Sequence, residues 1–216
     1  MLKFDQKVID YILKVSTGED KILQELNRET NVKILYPRML SGHLQGKILE
    51  MISKMICPEN ILEIGTYTGY SAICLAKGLN KGGKVHTIER NDELTEFSEK
   101  YFKKAGFNEK IVLYVGNAKE IIPQFKCFFE LVFIDADKYE YLNIYKQIFD
   151  KVPVGGYILA DNVLWGGKVI ENQKSGDKDT RGIVEFNNYV QNDSRVENLI
   201  LPVRDGLMII RKTANN

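Results

Sequence analysis

Two acidic positions follow apolar runs of the chain and could carry chemistry. Asp135 follows the run at 131–134, and the pair Asp161-Asn162 follows the run at 157–160. Carboxylates are rarely buried without a partner, and ligands of open α/β sheets bind just beyond the carboxyl ends of the strands. Two carboxylates and an amide oxygen are hard ligands that suit Mg²⁺ or a similar divalent ion. We therefore expect a bound cation or a catalytic pair here; the alternative is polar strand-end residues that cap the following helices.

A glycine-containing turn follows the first apolar strand. Gly65 comes directly after residues 60–64, and Gly69 opens the next helix, whose N-terminus offers free N–H groups. The spacing is GxxxG and not the dinucleotide-binding GxGxxG, because Tyr67 occupies the position of the second glycine. That side chain argues against a pyrophosphate on the turn and favours a phosphate-free ligand such as S-adenosylmethionine. A tight turn that only packs helix against strand explains the spacing about as well.

A third acid closes the second predicted strand. Glu89 follows the run at 84–88 and could accept hydrogen bonds from the two hydroxyls of a ribose. The alternative is a favourable interaction with the N-terminus of the helix that begins near Asp92. The distance along the chain from the glycine turn favours the ribose.

The elements that must position these residues alternate along most of the chain. Helices are predicted over 4–16 and near 22–26, and Ser41 is predicted to cap a helix with one apolar face formed by Leu44, Ile48, Ile52 and Met55. From residue 60 to 160, strands alternate with helices, which predicts a parallel sheet covered on both faces. Residues 163–180 form a long polar connection of the kind that often carries function. The Asp-Gly turn at 205–206 predicts a closing antiparallel hairpin, which a dinucleotide-binding fold lacks.

Composition narrows the class of protein. A chain of 216 residues with 44% hydrophobic residues fits one domain, and a net charge of +1 provides no strong field for nucleic acid or membrane. The three cysteines follow no metal-binding spacing, which fits a reducing compartment. The N-terminus lacks the apolar core of a signal peptide, and no apolar run approaches a membrane span. We expect a cytoplasmic protein.

Five ordered blocks of the sequence resemble metal-dependent O-methyltransferases of the caffeoyl-CoA and catechol O-methyltransferase type. They are LEIGTYTGYSA, TIER, FIDADKYEY, ADNVLWGGKV and LPVRDGL, and the similarity runs from about Met39 to Arg211. The resemblance implies an α/β class I methyltransferase (Rossmann-like) fold, a three-layer sandwich with a seven-stranded, mostly parallel sheet and a C-terminal antiparallel hairpin. It implies a single S-adenosylmethionine-dependent domain over 1–216, with N-terminal helices at 1–38 and the core at 39–216.

The same resemblance implies roles for individual residues. The implied metal ligands are Asp135, Asp161 and Asn162, and the implied catalytic residue is Lys138. The implied contacts to the methyl donor are Met39, Ser41, Glu63, Gly65, Ser71, Glu89, Ala118 and Asp135, of which Asp135 would touch donor and metal together. Trp165 matches a tryptophan of the plant members, where the loop over the acceptor begins. That loop and the N-terminal helices match no one subgroup, which leaves the acceptor open.

The implied reaction is methyl transfer from S-adenosylmethionine to an oxygen of a catechol-like vicinal diol, with Mg²⁺, or another divalent cation such as Mn²⁺ or Ca²⁺, holding the acceptor. Lys138 is expected to take the proton, with the cation and partial burial favouring its neutral form. O-methylation of a 5-hydroxyuridine at the wobble position of tRNA is the second hypothesis. A nucleotide-binding module without catalysis, or an oxidoreductase, is the third, and the missing GxGxxG speaks against it.

The resemblance also implies a homodimer. The N-terminal helices carry apolar residues that something must cover, namely Val8, Ile12, Leu13 and Leu26. The alternative is that these residues pack on their own sheet.

Overall fold

The computed structural model describes residues 5–171 and 176–215. The chain begins with helices that precede the sheet, namely α1 (Gln6–Val15), α2 (Lys21–Lys33), a 3₁₀ turn (Pro37–Met39) and α3 (Gly42–Ile56). Asp5 and Asp20 cap α1 and α2, because their side chains accept hydrogen bonds from backbone N–H groups two residues ahead. None of the helices in these ranges is long and apolar enough to cross a membrane.

A seven-stranded sheet forms the centre of the protein. Its strands are β1 (Asn60–Ile64), β2 (Lys84–Glu89), β3 (Ile111–Val115), β4 (Leu131–Ile134), β5 (Tyr157–Ala160), β6 (Val196–Leu201) and β7 (Leu207–Lys212). The spatial order is β3-β2-β1-β4-β5-β7-β6, and all neighbours are parallel except that β7 runs antiparallel to both β5 and β6. The seven-stranded α/β sheet with a C-terminal hairpin, predicted from the resemblance, is confirmed.

Helices cover both faces of this sheet. They are α4 (Tyr70–Ala76), α5 (Thr95–Lys104), α6 (Ala118–Ile121), α7 (Tyr141–Ile148) and α8 (Lys178–Gln191). One apolar core lies between the sheet and α7 and α8, and it contains Tyr141, Tyr145 and Phe186. A second core lies on the other face, where α2, α3, α4 and α5 pack. The two buried layers hold the strand ends in fixed positions.

The strand order creates a crevice at the carboxyl ends of the central strands. From β1 the chain moves outward to β3, and it then returns to form β4 on the other side of β1. Such a reversal leaves an opening at the carboxyl ends of the two central strands, where open α/β sheets bind ligands. The glycine turn follows β1 and Asp135 follows β4, so both of these predicted functional features lie at this opening.

The buried face of α3 differs from the prediction. Met55 is largely exposed, whereas Leu49 and Ser53 are buried. The reason is Gly46, where a Cβ would lie 2.5 Å from Cε1 of Tyr70 in α4. This close approach turns the glycine side of α3 inward. The prediction that Ser41 is the N-cap of α3 is confirmed, although its side chain makes no capping hydrogen bond.

Candidate active site

The turn after β1 adopts a conformation that brings β1 and β4 together. Gly65 has φ of 103°, and a Cβ there would collide with the backbone oxygen of Asp135. Tyr67 also has a positive φ, 50°, which is uncommon for an aromatic residue and marks local backbone strain. Gly69, with φ of 85°, precedes the first turn of α4. Glycine at 65 is therefore required by packing as well as by backbone conformation.

Glu63 is a buried acid with an unsatisfied oxygen. Its side chain has 0% exposure, and Thr87 Oγ1 donates a 2.5 Å hydrogen bond to Oε2. Within the described residues, Oε1 has no hydrogen-bond partner. Burial raises the pKa of Glu63 to about 8, although the neighbouring hydroxyls of Ser71 and Thr87 favour the ionised form. An oxygen of this kind suits a positively charged ligand group such as an ammonium.

Glu89 links the glycine turn to the chain after β2. Its Oε2 accepts a hydrogen bond from the backbone N–H of Tyr67 at 2.7 Å, and its Oε1 accepts one from the N–H of Asn91 at 2.9 Å. Each carboxylate oxygen has a second lone pair that can accept a ligand hydroxyl. The following helical turn is capped by the side chain of Asn91, which accepts a hydrogen bond from the N–H of Glu93. Capping of that turn therefore does not depend on the Glu89 side chain.

The other predicted donor contacts differ in exposure. Ser41 and Ser71 are buried, and Met39, at the end of the 3₁₀ turn, is 57% exposed. Ala118 is half-buried at the start of α6 and packs against the core beneath α7. The structure thus brings Ser71 next to Glu63 and Gly65 into contact with Asp135. Glu89 ends β2, Ala118 begins α6, and Met39 and Ser41 lie just before α3.

Asp135 and Asp161 follow neighbouring strands. Because β4 and β5 are parallel and paired to their last residues, the two aspartates come next to each other. Asp161 is buried, and its carboxylate accepts hydrogen bonds from Gln45 Nε2 at 2.7 Å and from the backbone N–H of Asn162 at 2.8 Å. Burial, followed by the negative charge of Asp135, raises the pKa of Asp161. A cation bound between the two carboxylates would offset both effects.

Lys138 is held next to Asp135 and not on the protein surface. The side chain is 9% exposed, and Nζ donates hydrogen bonds to Asp135 Oδ1 at 2.8 Å and to Tyr141 Oη at 2.7 Å. The Tyr141 hydroxyl donates in turn to the backbone oxygen of Asp161 at 3.0 Å. Lys138 and Tyr141 therefore connect the two aspartates.

Burial acts on the pKa of Lys138 in the expected direction, but the net shift of that pKa is opposite to the prediction. Burial alone would lower the pKa of Lys138, but the interactions with Tyr141 and Asp135 outweigh it and raise the pKa. In the absence of a further positive charge, Nζ keeps its proton.

Asn162 completes the predicted metal set with an amide. Its backbone has φ of 57°, a left-handed conformation that asparagine tolerates better than most residues. Among residues 5–171 and 176–215, no three His, Cys, Asp or Glu side chains converge on one point. A cation at this edge would accordingly rely on the two aspartates, the Asn162 amide oxygen and ligands from outside the chain, as oxygen-binding divalent ions often do.

The predicted functional connection is anchored at its start to the hairpin tip. The N–H groups of Leu164 and Gly166 donate to the backbone oxygen and the Oδ1 atom of Asp205, at 2.9 and 2.6 Å. Trp165 lies between them, half-buried, at the beginning of a 3₁₀ segment that ends at Ile170. Residues 172–175 of the connection lie outside the described residues.

Two residues of the site were missed by sequence reasoning. Gln45 belongs to α3 and contacts Asp161 across 116 positions of the chain, and Arg204 at the hairpin turn contacts Gln45. Tyr141 was predicted only as a core residue of α7. A polar residue on a helix predicted to be amphipathic was the one available signal for Gln45, and it did not indicate a partner.

Comparison with known proteins identifies the family. The sequence model of the O-methyltransferase family matches residues 13–213. A caffeoyl-CoA O-methyltransferase from Medicago sativa is 34% identical, over 94% of this chain and 87% of its own length. Among solved structures, an O-methyltransferase from Bacillus cereus in complex with SAH has a TM-score of 0.85 and 29% identity, over 95% of this chain and 97% of that chain. The SAH-bound methyltransferase PaMTH1 from Podospora anserina has a TM-score of 0.88 and 28% identity, over 99% of each chain. The chain therefore belongs to the O-methyltransferase family.

Proposed function

We propose that this protein transfers a methyl group from S-adenosylmethionine to one oxygen of a catechol-like vicinal diol, with a divalent cation bound by Asp135, Asp161 and Asn162. The observation that carries the proposal is the pair of carboxylates at the ends of β4 and β5, with the Lys138 ammonium bonded to the first of them. Mg²⁺ is the expected cation, and Mn²⁺ and Ca²⁺ are alternatives with the same oxygen preference.

The donor site is supported by the glycine turn and Glu63. The relatives from Bacillus cereus and Podospora anserina were solved with SAH, the demethylated donor. In this chain, the free Oε1 atom of Glu63 suits the donor ammonium, and the Glu89 carboxylate suits the ribose hydroxyls. Met39, Ser41, Gly65, Ser71 and Ala118 are proposed to line the same site, which lies within one domain whose core begins at residue 39.

The protein's part in the reaction is mainly positioning and charge. S-adenosylmethionine supplies the methyl group on a sulfonium sulfur, and a divalent cation acidifies a hydroxyl that it binds. The aspartates fix where an acceptor oxygen can sit relative to the donor turn, and alignment of this kind accounts for a large share of many enzymatic rate enhancements. Lys138 Nζ is the group placed to hold or receive the acceptor proton, and Tyr141 keeps Nζ in place.

Removal of divalent cations tests the proposal directly. Methyl transfer from labelled S-adenosylmethionine to a caffeoyl-type catechol should disappear after exhaustive EDTA treatment and return when Mg²⁺ is added. Asp161→Ala should abolish turnover and leave SAH affinity largely intact, whereas Asp150→Ala, which changes an exposed aspartate after α7, should affect neither. Full activity in EDTA would contradict the metal. Faster methylation of bulk tRNA than of any catechol would favour the tRNA hypothesis.

We also propose that a second copy of the chain covers α1, whereas Leu26 of α2, which the sequence prediction included, is buried in the core of its own chain. None of the residues of α1 is buried, although several are apolar. Exposed fractions of 36–65% are found for Val8, Tyr11, Leu13 and Val15. Exposed apolar residues clustered on one helix are typical of an interaction surface. Light scattering at micromolar concentration should give twice the 24.8 kDa of one chain, and a monomer mass would contradict the homodimer.

A further inference from the structure

The tip of the β6–β7 hairpin contacts the segment that leads into α3. Arg204 Nη1 donates hydrogen bonds to the backbone oxygen of Ser41 and to Gln45 Oε1, the latter at 2.5 Å. Arg204 Nη2 donates to the backbone oxygen of Leu40 at 3.2 Å. One guanidinium therefore binds three acceptors on a segment more than 150 residues away in sequence.

These contacts fix the orientation of the Gln45 amide. A guanidinium can only donate hydrogen bonds, so the amide group that faces Arg204 must be the carbonyl oxygen. The amide NH₂ then faces Asp161 and donates to Oδ2 at 2.7 Å. A carboxylate can only accept, and Gln45 is 2% exposed, so water does not compete for either end of the amide. Arg204 therefore always donates to Gln45, and Gln45 always donates to Asp161.

The second oxygen of Asp161 is fixed by a different group. Oδ1 accepts the backbone N–H of Asn162 at 2.8 Å. From the described residues, each oxygen thus accepts one hydrogen bond, which leaves a lone pair for a further partner. Without the Gln45 bond, rotation about the side-chain torsions of Asp161 would be restrained on one side only.

The backbone at the tip holds Arg204 in place. Arg204 has φ of 49°, and the Gly206 N–H donates to the Val203 oxygen at 2.9 Å to close the turn. The adjacent Asp205 anchors the loop at Leu164 and Gly166, as described above. The turn is therefore held from both sides, and Arg204 projects from a fixed point.

We propose that Gln45 and Arg204 are positioning residues for Asp161: Arg204 sets the direction of the Gln45 amide, and the amide sets the carboxylate for a divalent cation. The inference rests on the proposed metal-dependent function. Groups that hydrogen-bond to a metal ligand commonly change metal affinity by about 10–100-fold when they are lost. Because Arg204 acts through Gln45, the two residues should form one unit.

The test measures cation and SAH binding separately by calorimetry. Gln45→Leu removes both amide bonds at nearly constant volume, and Arg204→Met removes the donors and keeps the apolar stem. Arg211→Met is the matched control, because Arg211 lies on β7 of the same hairpin and pairs with Glu197 on the surface at 2.9 Å. Thermal unfolding in EDTA checks that each variant folds, and Arg204→Met keeps the test usable if Gln45→Leu does not fold.

The expected result is a selective loss of cation affinity. The Kd for Mn²⁺ in the presence of SAH should rise about 10–100-fold in Gln45→Leu and by a smaller factor in Arg204→Met. The Kd for SAH without metal should change less than about threefold, and the double variant should bind Mn²⁺ no more weakly than Gln45→Leu. Unchanged Mn²⁺ affinity in the single variants, or effects that simply multiply in the double variant, would overturn the proposal that Arg204 and Gln45 position Asp161 as one unit. Wild-type protein that binds no Mn²⁺ would instead refute the proposed metal-dependent function.

Discussion

Glu63 should release a proton when the donor binds. Its pKa of about 8, compared with 4.5 for an exposed glutamic acid, means that about nine-tenths of the protein carries a neutral Glu63 at pH 7. A ligand ammonium at Oε1 would favour the carboxylate and expel that proton. Calorimetric titration of SAH at pH 7 in buffers of different ionisation enthalpy should therefore report release of about 0.9 proton per site.

Glu63→Gln removes the titrating group and keeps the shape of the side chain. The variant should bind SAH more weakly and show no dependence of the binding enthalpy on the buffer. Glu99→Gln, which changes an exposed residue of α5, is the control and should behave as wild type. Binding of SAH to the wild-type protein without proton release at pH 7 would refute the placement of the donor ammonium at Glu63.

The same carboxyl group should make stability depend on pH. Because the folded-state pKa is raised, Glu63 stabilises the fold fully below pH 4.5, and this contribution is lost as the pH rises toward 8. The full difference corresponds to about 5 kcal/mol, at roughly 1.4 kcal/mol per pH unit, and is an upper bound. Urea unfolding should show Glu63→Gln gaining stability over wild type between pH 5 and pH 9. A constant difference across that range would contradict the raised pKa.

Three further changes separate binding, catalysis and packing. Glu89→Ala should weaken SAH binding by about 1–3 kcal/mol, and calorimetry that finds unchanged affinity would argue against the ribose contact. Lys138→Met should lower turnover on catechol by about 10²–10⁴-fold with SAH affinity unchanged, and the loss should shrink on an acidic nitrocatechol if the lysine handles the proton. Equal losses on both acceptors would indicate a positioning role. Gly46→Ala should cost about 1–3 kcal/mol of unfolding free energy in urea, because its Cβ would meet Tyr70. Gly18→Ala, with no atom within 4 Å of its Cβ, should change stability by less than about 0.5 kcal/mol.

The strand ends were predictable because apolar runs and the residues that follow them are local features. The alternation of elements placed Asp135 and Asp161 at one edge of the sheet, and the Asp-Gly pair at 205–206 correctly predicted the hairpin. Lys138 shows where local reasoning stops. A lysine at the start of a helical segment is ordinarily exposed, and only the resemblance indicated otherwise. The segment that contains Lys138 packs against α8, where a Cβ at Gly182 would lie 2.8 Å from the backbone oxygen of Lys138, and this contact forms only in the folded chain.

The inward face of α3 could not be predicted from hydrophobic periodicity. That face carries Gln45, which hydrogen-bonds to Asp161. It also carries Glu50, which forms ion pairs with Lys47 and Lys54. Hydrophobic periodicity assigns the apolar residues of a helix to the core and the polar ones to solvent. Where polar residues are buried, it therefore predicts the wrong side of the helix as the buried face. The Gln45 contact also requires the sheet order, which no local pattern specifies.

The position of β7 between β5 and β6 has a consequence for synthesis of the protein on the ribosome. A nascent chain that ends before residue 196 already contains the glycine turn, both aspartates and Lys138. It lacks the strand that pairs with β5, so the backbone groups of β5 on that side stay unpaired. It also lacks Arg204, the only described side chain that hydrogen-bonds to the oxygen of the Gln45 amide. Every chemical group of the proposed site thus precedes, in order of synthesis, the hairpin that pairs with β5 and supplies Arg204.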